Sequence, residues 1–206
     1  MVHALNNINL KIDDRETVAI IGESGAGKST LLHIMSCIDN FDGEYYLDNI
    51  DINKLSESKK SKLRSSKIGI VLQDFALIDD FTVFENVMTP LYFNKKIKDK
   101  KGSVMRALKK TGIASLKAKK VSQLSGGQKQ RVAISRALVT NPEYIFADEP
   151  TGSLDSKTSE EIVKMLFDLN RNGITIVIVT HNLEIANQCH HIIEIKDGNI
   201  IKDICS

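Results

Sequence analysis

No apolar run in this 206-residue sequence approaches the roughly 20 residues that a bilayer crossing requires. The longest apolar stretches, residues 18–21 and 174–179, have strand length, so the chain itself is not expected to form a membrane channel. The opening Met1-Val-His-Ala-Leu-Asn-Asn lacks a basic region leading into an apolar core; no secretory signal is expected, and the cytosol is the expected compartment. Cysteine is scarce: Cys37, Cys189 and Cys205 are odd in number and show no CxxC spacing. A disulfide framework and a zinc knuckle are thereby disfavoured, and a reducing compartment fits. Proline is equally scarce, at 3 residues, and there is no internal repeat and no low-complexity tract beyond one lysine-rich stretch. With 42% hydrophobic and 26% charged residues, the composition is that of one globular domain, which sets disorder and fibrous repeats aside. Net charge is small too, at +2, which argues against a protein that coats nucleic acid.

That small net charge conceals an uneven distribution. Residues 95–120 hold eleven Lys and Arg against one acid, Asp99, a net of +10, so the remainder of the chain carries −8. Val104, Leu108, Ile113 and Leu116 give this stretch a helical apolar stripe. Its charge reads either as a solvated helix face or as a surface facing anionic lipid or a partner.

Apolar runs at residues 17–21, 68–72, 144–147, 174–180 and 192–195 read as buried strands. Helical spacing follows at 28–37, 128–139 and 156–169. Strands alternating with helices imply a mainly parallel sheet covered on both faces. Residues 44–50 alternate between Asp42-Gly43 and Asp48-Asn49, which predicts a small antiparallel β element with tight turns. Thr82-Val-Phe-Glu85 fits a capping box opening a helix. One domain over 1–206 is expected, with about 74–136 inserted into the α/β core as a helical subdomain.

Between the first strand and its helix lies Gly22-Glu23-Ser24-Gly25-Ala26-Gly27-Lys28-Ser29-Thr30, which satisfies the phosphate-loop pattern GxxxxGK[ST]. Its glycines let backbone N–H groups turn inward on phosphate oxygens, and the helix start adds the positive end of its dipole. Lys28 would reach the terminal phosphates, and the Ser29 hydroxyl would join Mg²⁺. A glycine turn with an incidental lysine is the ordinary alternative, and the strand–loop–helix setting weighs against it. The run Tyr144-Ile-Phe-Ala-Asp148-Glu149-Pro150 puts two carboxylates at the end of a buried strand, where open α/β sheets bind ligands. Neighbouring strand residues face opposite ways, so their tasks should differ: Asp148 would hold Mg²⁺, and Glu149 would orient and deprotonate a water. Without the phosphate loop, a pair of solvated acids would be the better reading.

A third element narrows the choice. Leu124-Ser125-Gly126-Gly127-Gln128, followed by Lys129-Gln-Arg131 and an apolar helix, matches the signature of ATP-binding-cassette (ABC) ATPases. It stands between the phosphate loop and the acidic strand, as it does in that family. The sequence resembles the family over nearly its full length, with an α/β P-loop NTPase core, a small antiparallel β subdomain and a helical insertion. The resemblance implies that Gln73 is the Q-loop glutamine, contacting metal or attacking water; that Asp155, in Ser153-Leu-Asp155, is the D-loop residue linking two sites; and that His181 is the switch histidine contacting the γ-phosphate. It further implies ATP and Mg²⁺ as cofactors, with Ser29, Gln73 and Asp148 around the metal. A second copy is implied as partner, its residues 124–128 acting in trans, together with a separate transmembrane permease that holds the chain on the inner face of the cell membrane. No nucleic-acid partner is expected.

Residues 77–91, with Leu77-Ile-Asp-Asp-Phe-Thr82 and Pro90-Leu91, together with Met35-Ser-Cys37-Ile-Asp39, resemble the branch that includes lipoprotein-releasing, macrolide-exporting and peptide-exporting ATPases. Asn40-Phe41-Asp42-Gly43 departs from that branch's usual Pro-Thr turn, although Asp and Gly still support a turn. Family members stack adenine on an aromatic ring ahead of the phosphate loop; here the only ring before Gly22 is His3, so a late chain start and weaker base selectivity are expected. A soluble ABC protein working on nucleic acid would carry a coiled coil or a second ATPase domain, and neither fits in this length. A nonhydrolytic nucleotide-binding regulator is disfavoured by intact Lys28, Asp148, Glu149 and His181.

Two other clusters invite chemistry. Cys189-His190-His191 suggests metal ligation, but adjacent ligands with no second cluster at suitable spacing make a poor tetrahedral site, and a helix end leading into a strand is the better reading. Tyr45 and Tyr46 suggest base stacking, yet on an alternating strand one ring faces the core and the other the surface.

Overall fold

A computed structural model describes residues 4–94 and 96–205; His3 and Lys95 lie outside the described residues. A six-stranded sheet forms the centre, in the order β4-β5-β6-β1-β7-β8. Its strands are β1 (Thr17–Ile21), β4 (Ile68–Val71), β5 (Tyr144–Asp148), β6 (Thr175–Val179), β7 (His191–Lys196) and β8 (Asn199–Cys205). The first five in chain order run parallel, and β8 turns back antiparallel along β7. A separate two-stranded antiparallel sheet pairs β2 (Tyr46–Leu47) with β3 (Ile50–Asp51). The turn between them places Asp48 and Asn49 at φ 50 and 61, the paired left-handed conformation of a two-residue hairpin loop.

The interiors of the central strands β1, β5 and β6 are apolar because both of their faces are covered, and polar residues stand only at their ends. Ile145, Ala147, Ile176 and Ile178 turn to one face, where they join a cluster with Ala133, Ile134, Ile162 and Leu166. Phe146, Val177, Val179, Val18 and Ile20 turn to the other face and pack with Leu31, Leu32 and Met35. The first face is covered by α5 (Gly126–Leu138) and α6 (Ser156–Arg171), the second by α1 (Lys28–Met35). Gly69 lets α5 approach the sheet: a Cβ there would stand 2.7 Å from the Ala137 carbonyl oxygen. The short helix α7 (Leu183–Ala186) lies against β1 and leads toward β7.

Helix α2 (Glu57–Lys67), which the sequence reading did not identify, precedes β4 and buries only Leu63. The helical region contains α3 (Val83–Met88), α4 (Lys100–Lys110) and the front of α5. Its core is continuous with the first face of the sheet, because Val83, Val87, Leu91, Val104 and Leu108 belong to the same cluster as Ile134 and Ile145. The capping box forms as expected at α3, where Thr82 Oγ1 accepts from the Glu85 amide at 3.1 Å and Glu85 Oε2 accepts from the Thr82 amide at 2.7 Å. The helix expected through Leu116 stops at Lys110 instead. Gly112, at φ 74, turns the chain, and Ile113 is buried from the turn.

No helix among the described residues is long and apolar enough to cross a membrane.

Candidate nucleotide site

Strand order determines which groups meet. The neighbours β4, β5, β6 and β1 all run the same way, so their carboxyl ends line one sheet edge. Just beyond those ends, in that spatial order, come Gln73, Glu149, His181 and Gly22. Backbone hydrogen bonds tie the edge together: the Glu149 amide donates to Val179 O at 2.9 Å and the Thr180 amide to Ile20 O at 3.1 Å. Such an edge is where ligands bind in open α/β sheets.

The loop of residues 22–27 is built on positive φ angles, at Gly22 (145), Gly25 (81) and Gly27 (104). Two of the three glycines also meet tight quarters. A Cβ on Gly22 would fall 2.1 Å from Ile195 O, and one on Gly27 would fall 2.5 Å from Ala4 O. Gly27 then caps α1, whose first turn holds Lys28, Ser29 and Thr30. Lys28 Nζ donates to Gly22 O at 2.9 Å and to Glu23 O at 2.8 Å, folding the ammonium over the loop it would share with a phosphate. Ala26 is buried, whereas Glu23 and Ser24 are exposed at the rim.

At the next strand ends, Asp148 closes β5 opposite Val179. Glu149 lies beyond the strand at φ 43, a left-handed conformation that is uncommon for any residue other than glycine. Strand alternation therefore does not set the two carboxylates apart, as the sequence suggested; a break in the backbone does. Glu149 Oε1 lies 2.9 Å from His181 Nδ1, and Glu149 Oε2 is buried without a hydrogen-bond partner. The glutamate side chain is 13% exposed and the histidine 74%, so the imidazole forms an accessible lid over a sequestered carboxylate. Gln73 comes close from the β4 side, with Nε2 3.6 Å from where a Cβ on Gly152 would stand.

The Ser-Gly-Gly turn lies at the start of α5. Ser125 Oγ accepts from the Gln128 amide at 3.4 Å, and Gln128 Oε1 accepts from the Ser125 amide at 3.2 Å. Leu124, just outside the helix, is buried. Gly127 allows α6 to pass, since a Cβ there would be 2.4 Å from Thr158 Cγ2, and Gly126 faces Leu154. Asp155 caps α6, accepting from the Thr158 amide at 3.0 Å and from Thr158 Oγ1 at 2.6 Å; these bonds hold its carboxyl below the usual range. The capping task of Asp155 had escaped the sequence reading, although Asp three residues before Thr at a helix start is its ordinary mark.

Two residues of α5 were missed altogether. Gln130 is buried and donates from Nε2 to Pro150 O at 2.7 Å, linking the signature helix to the turn after Glu149. Arg136 donates to Phe75 O at 2.8 Å and to Ala76 O, two residues held at φ 63 and 44. These are long-range contacts to main-chain carbonyls, and no local spacing announces them.

The fold and this edge define a nucleoside-triphosphate-binding ATPase of the P-loop class. Comparison with known proteins narrows that class. The family model described as "ABC transporter" matches residues 5–152. An uncharacterized ABC transporter ATP-binding protein, MJ0796 of Methanocaldococcus jannaschii, is 46% identical over 210 residues, covering 98% of this chain and 89% of its own length. The macrolide export ATP-binding/permease protein MacB of Mannheimia succiniciproducens is 45% identical across 98% of this chain, which spans 32% of that protein. The solved dimeric, post-hydrolysis structure of MJ0796 bound to ADP and Pi superposes with a TM-score of 0.91 at 43% identity, covering 99% of this chain and 91% of that one. The chain belongs to the ABC transporter family, as an ATP-binding cassette that binds and hydrolyses ATP.

Proposed function

We propose that two copies of this chain close head to tail around two ATP molecules. Each nucleotide would lie between residues 22–30 of one copy and Leu124, Ser125, Gly126, Gly127 and Gln128 of the other. The observation that carries this reading is that one chain opens two helices on glycines, α1 after the loop of residues 22–27 and α5 at Ser125-Gly126-Gly127, and only the first follows a phosphate-loop pattern. The second turn gains a use only against another copy's γ-phosphate. That a 43% identical cassette is solved as a dimer bound to ADP and Pi supports pairing of two copies with nucleotide.

Within that site Lys28 and the loop amides hold the phosphates. Glu149 orients the attacking water and takes its proton, and its buried carboxylate with one unpartnered oxygen suits that task. His181 moves from Glu149 toward the γ-phosphate, and Asp155 meets the partner copy. The oxygen donors of Ser29, Asp148 and Gln73 form the hard, uncharged-to-anionic set that Mg²⁺ favours. When bound there, Mg²⁺ would neutralise charge on the β- and γ-phosphates.

Closing and opening of the pair would drive a separate transmembrane permease, with residues 74–136 as the helical subdomain that docks on it and the cassette held at the inner membrane face. Export of a peptide, lipoprotein or drug-like cargo is the favoured direction, in keeping with the macrolide-export relatives, in which ATPase and permease share one name. The test is Glu149→Gln. Gel filtration should show this variant as a stable dimer in saturating ATP and as a monomer without it, with turnover lowered at least a hundredfold. A variant that stays monomeric at saturating ATP sinks the scheme.

A further inference from the structure

His191 opens β7 and is 2% exposed, yet its Nδ1 has no hydrogen-bond partner. Its other nitrogen, Nε2, lies 2.6 Å from Asp203 Oδ1 on β8. If Nε2–H donates to that carboxylate, Nδ1 presents a lone pair. Across from it, Glu16 Oε1 stands 3.3 Å from Nδ1 but not in line to accept a hydrogen bond, while Glu16 Oε2 is occupied by the Asp13 amide at 2.9 Å. In the antiparallel ladder Cys205 is directly opposite His191, so the two side chains share a face. The ligand atoms of Glu16, His191 and Cys205 all lie within 4.8 Å of one another.

We propose that Glu16, His191 and Cys205 bind a divalent transition metal of the zinc class, with Asp203 orienting the histidine from behind. The donor set is the mixed imidazole, carboxylate and thiolate group that zinc accepts. A tetrahedral ion with bonds of about 2.0 Å to nitrogen and oxygen sets those two ligands roughly 3.3 Å apart, the spacing already present. A carboxylate on the far ring nitrogen is the usual support of a metal-ligating histidine and fixes the tautomer that leaves Nδ1 free. Partial desolvation, then the charges of Glu16, Asp203 and Asp13, raise the Cys205 thiol above its ordinary range, with Lys11 opposing them. A cation in the cluster reverses that balance.

The site is separate from the nucleotide edge. Glu16 stands just before β1, six residues and so about 20 Å of strand from Gly22 at roughly 3.3 Å per residue, and His191, at the amino end of β7 opposite Val18, lies about four residues of strand from it. Of the triplet Cys189-His190-His191, only the last residue takes part. Cys189 is buried with its thiol 3.6 Å from Ile185 O, and His190 Nδ1 is 2.7 Å from Thr17 Oγ1. The metal would staple the exposed edge strand β8 to the start of β1.

The experiment is a Co²⁺ titration of the full, reduced, chelator-stripped chain without nucleotide. One equivalent should bind with the near-ultraviolet charge-transfer absorption that only a thiolate ligand gives, and Zn²⁺ should displace it. Cys205→Ser, at an exposed position that leaves the core intact, should abolish that absorption and weaken Zn²⁺ at least tenfold in competition with a chromophoric chelator. Asp203→Asn should keep the absorption and weaken binding by 10- to 100-fold. A titration of the wild-type chain with no charge-transfer band, or a Cys205→Ser variant that binds Zn²⁺ unchanged, overturns the proposal.

Discussion

Glu149 is held where most residues with a side chain resist going. Its φ of 43 costs a residue carrying a Cβ about 1–2 kcal/mol, and the bonds of its amide to Val179 O and of the Gly152 amide to its own carbonyl keep it there. Burying Oε2 without a partner adds a desolvation cost of about 1–3 kcal/mol. Both costs fall on the residue assigned to activate water, as expected where a functional group is fixed in advance of its substrate. Glu149→Ala removes the buried carboxylate and retains the backbone strain, whereas Glu149→Gly removes both. At an ordinary position Gly is less stable than Ala by about 0.5–1 kcal/mol. Here the order should invert, with the Gly variant melting roughly 2–4 °C above the Ala variant for each kcal/mol of strain relieved, and both lacking turnover. A Gly variant melting below the Ala variant would show that the strain relieved is smaller than the backbone freedom glycine adds.

Arg136 shows how one element fixes another. It stands in the last turn of α5, the helix that Ser125 opens, and its guanidinium holds the carbonyls of Phe75 and Ala76 just after Gln73. Burial lowers its pKa, with Asp74 the charge that opposes this. Each charged hydrogen bond of this kind contributes about 1.5–3 kcal/mol, so the two together can hold a pair of consecutive left-handed residues in place. Arg136→Met keeps the apolar stem and removes the donors. Hydrogen exchange should then quicken at residues 74–78, and kcat for ATP should fall several-fold with KM nearly unchanged, because Lys28 and residues 22–30, proposed above to hold the nucleotide, are not altered. Arg136→Lys should restore part of the loss; unchanged exchange and turnover in the Met variant would remove the arginine from this role. What the sequence revealed follows the same division. Asp48-Asn49 and Thr82-Val-Phe-Glu85 act within a few residues of themselves, and their turn and cap are present as read. The five apolar runs became the five parallel strands; in β1, β5 and β6 burial on both faces keeps the strand interiors free of charge, whereas β7, next to the edge, alternates and carries Glu194 on its less buried face. Helix α2 and strand β8 gave no such signal, since α2 buries one residue and β8 lies almost wholly exposed at an edge. Arg136 and Gln130 could not be read because their partners are main-chain carbonyls 60 and 20 residues away.

Across the whole molecule the charge is divided, with +10 on residues 95–120 and −8 on the remainder. The basic part is surface: Lys96, Lys98, Lys101, Lys109, Lys117 and Lys119 are exposed on and around α4, beside the exposed rings of Tyr92 and Phe93, and Lys100 lies 5.5 Å from the centre of the Tyr92 ring. Some of the charge is used locally, since Arg106 reaches Asp99 at 3.2 Å and Lys120 lies 3.8 Å from Asp80. An anionic bilayer senses charge only within a screening length of about 10 Å at 0.1 M salt, so it would meet this patch and not the molecule's average. Each lysine near such a surface contributes about 1 kcal/mol. Changing Lys96, Lys98, Lys100 and Lys101 together to Gln should therefore weaken association with phosphatidylserine-containing liposomes at low salt by tenfold or more, and leave the melting temperature and ATP turnover of the isolated chain near their original values. The loss should shrink as salt rises, because screening removes the attraction from the unaltered chain as well. Liposome binding that is unchanged by the four substitutions would make the lysines a solvated face.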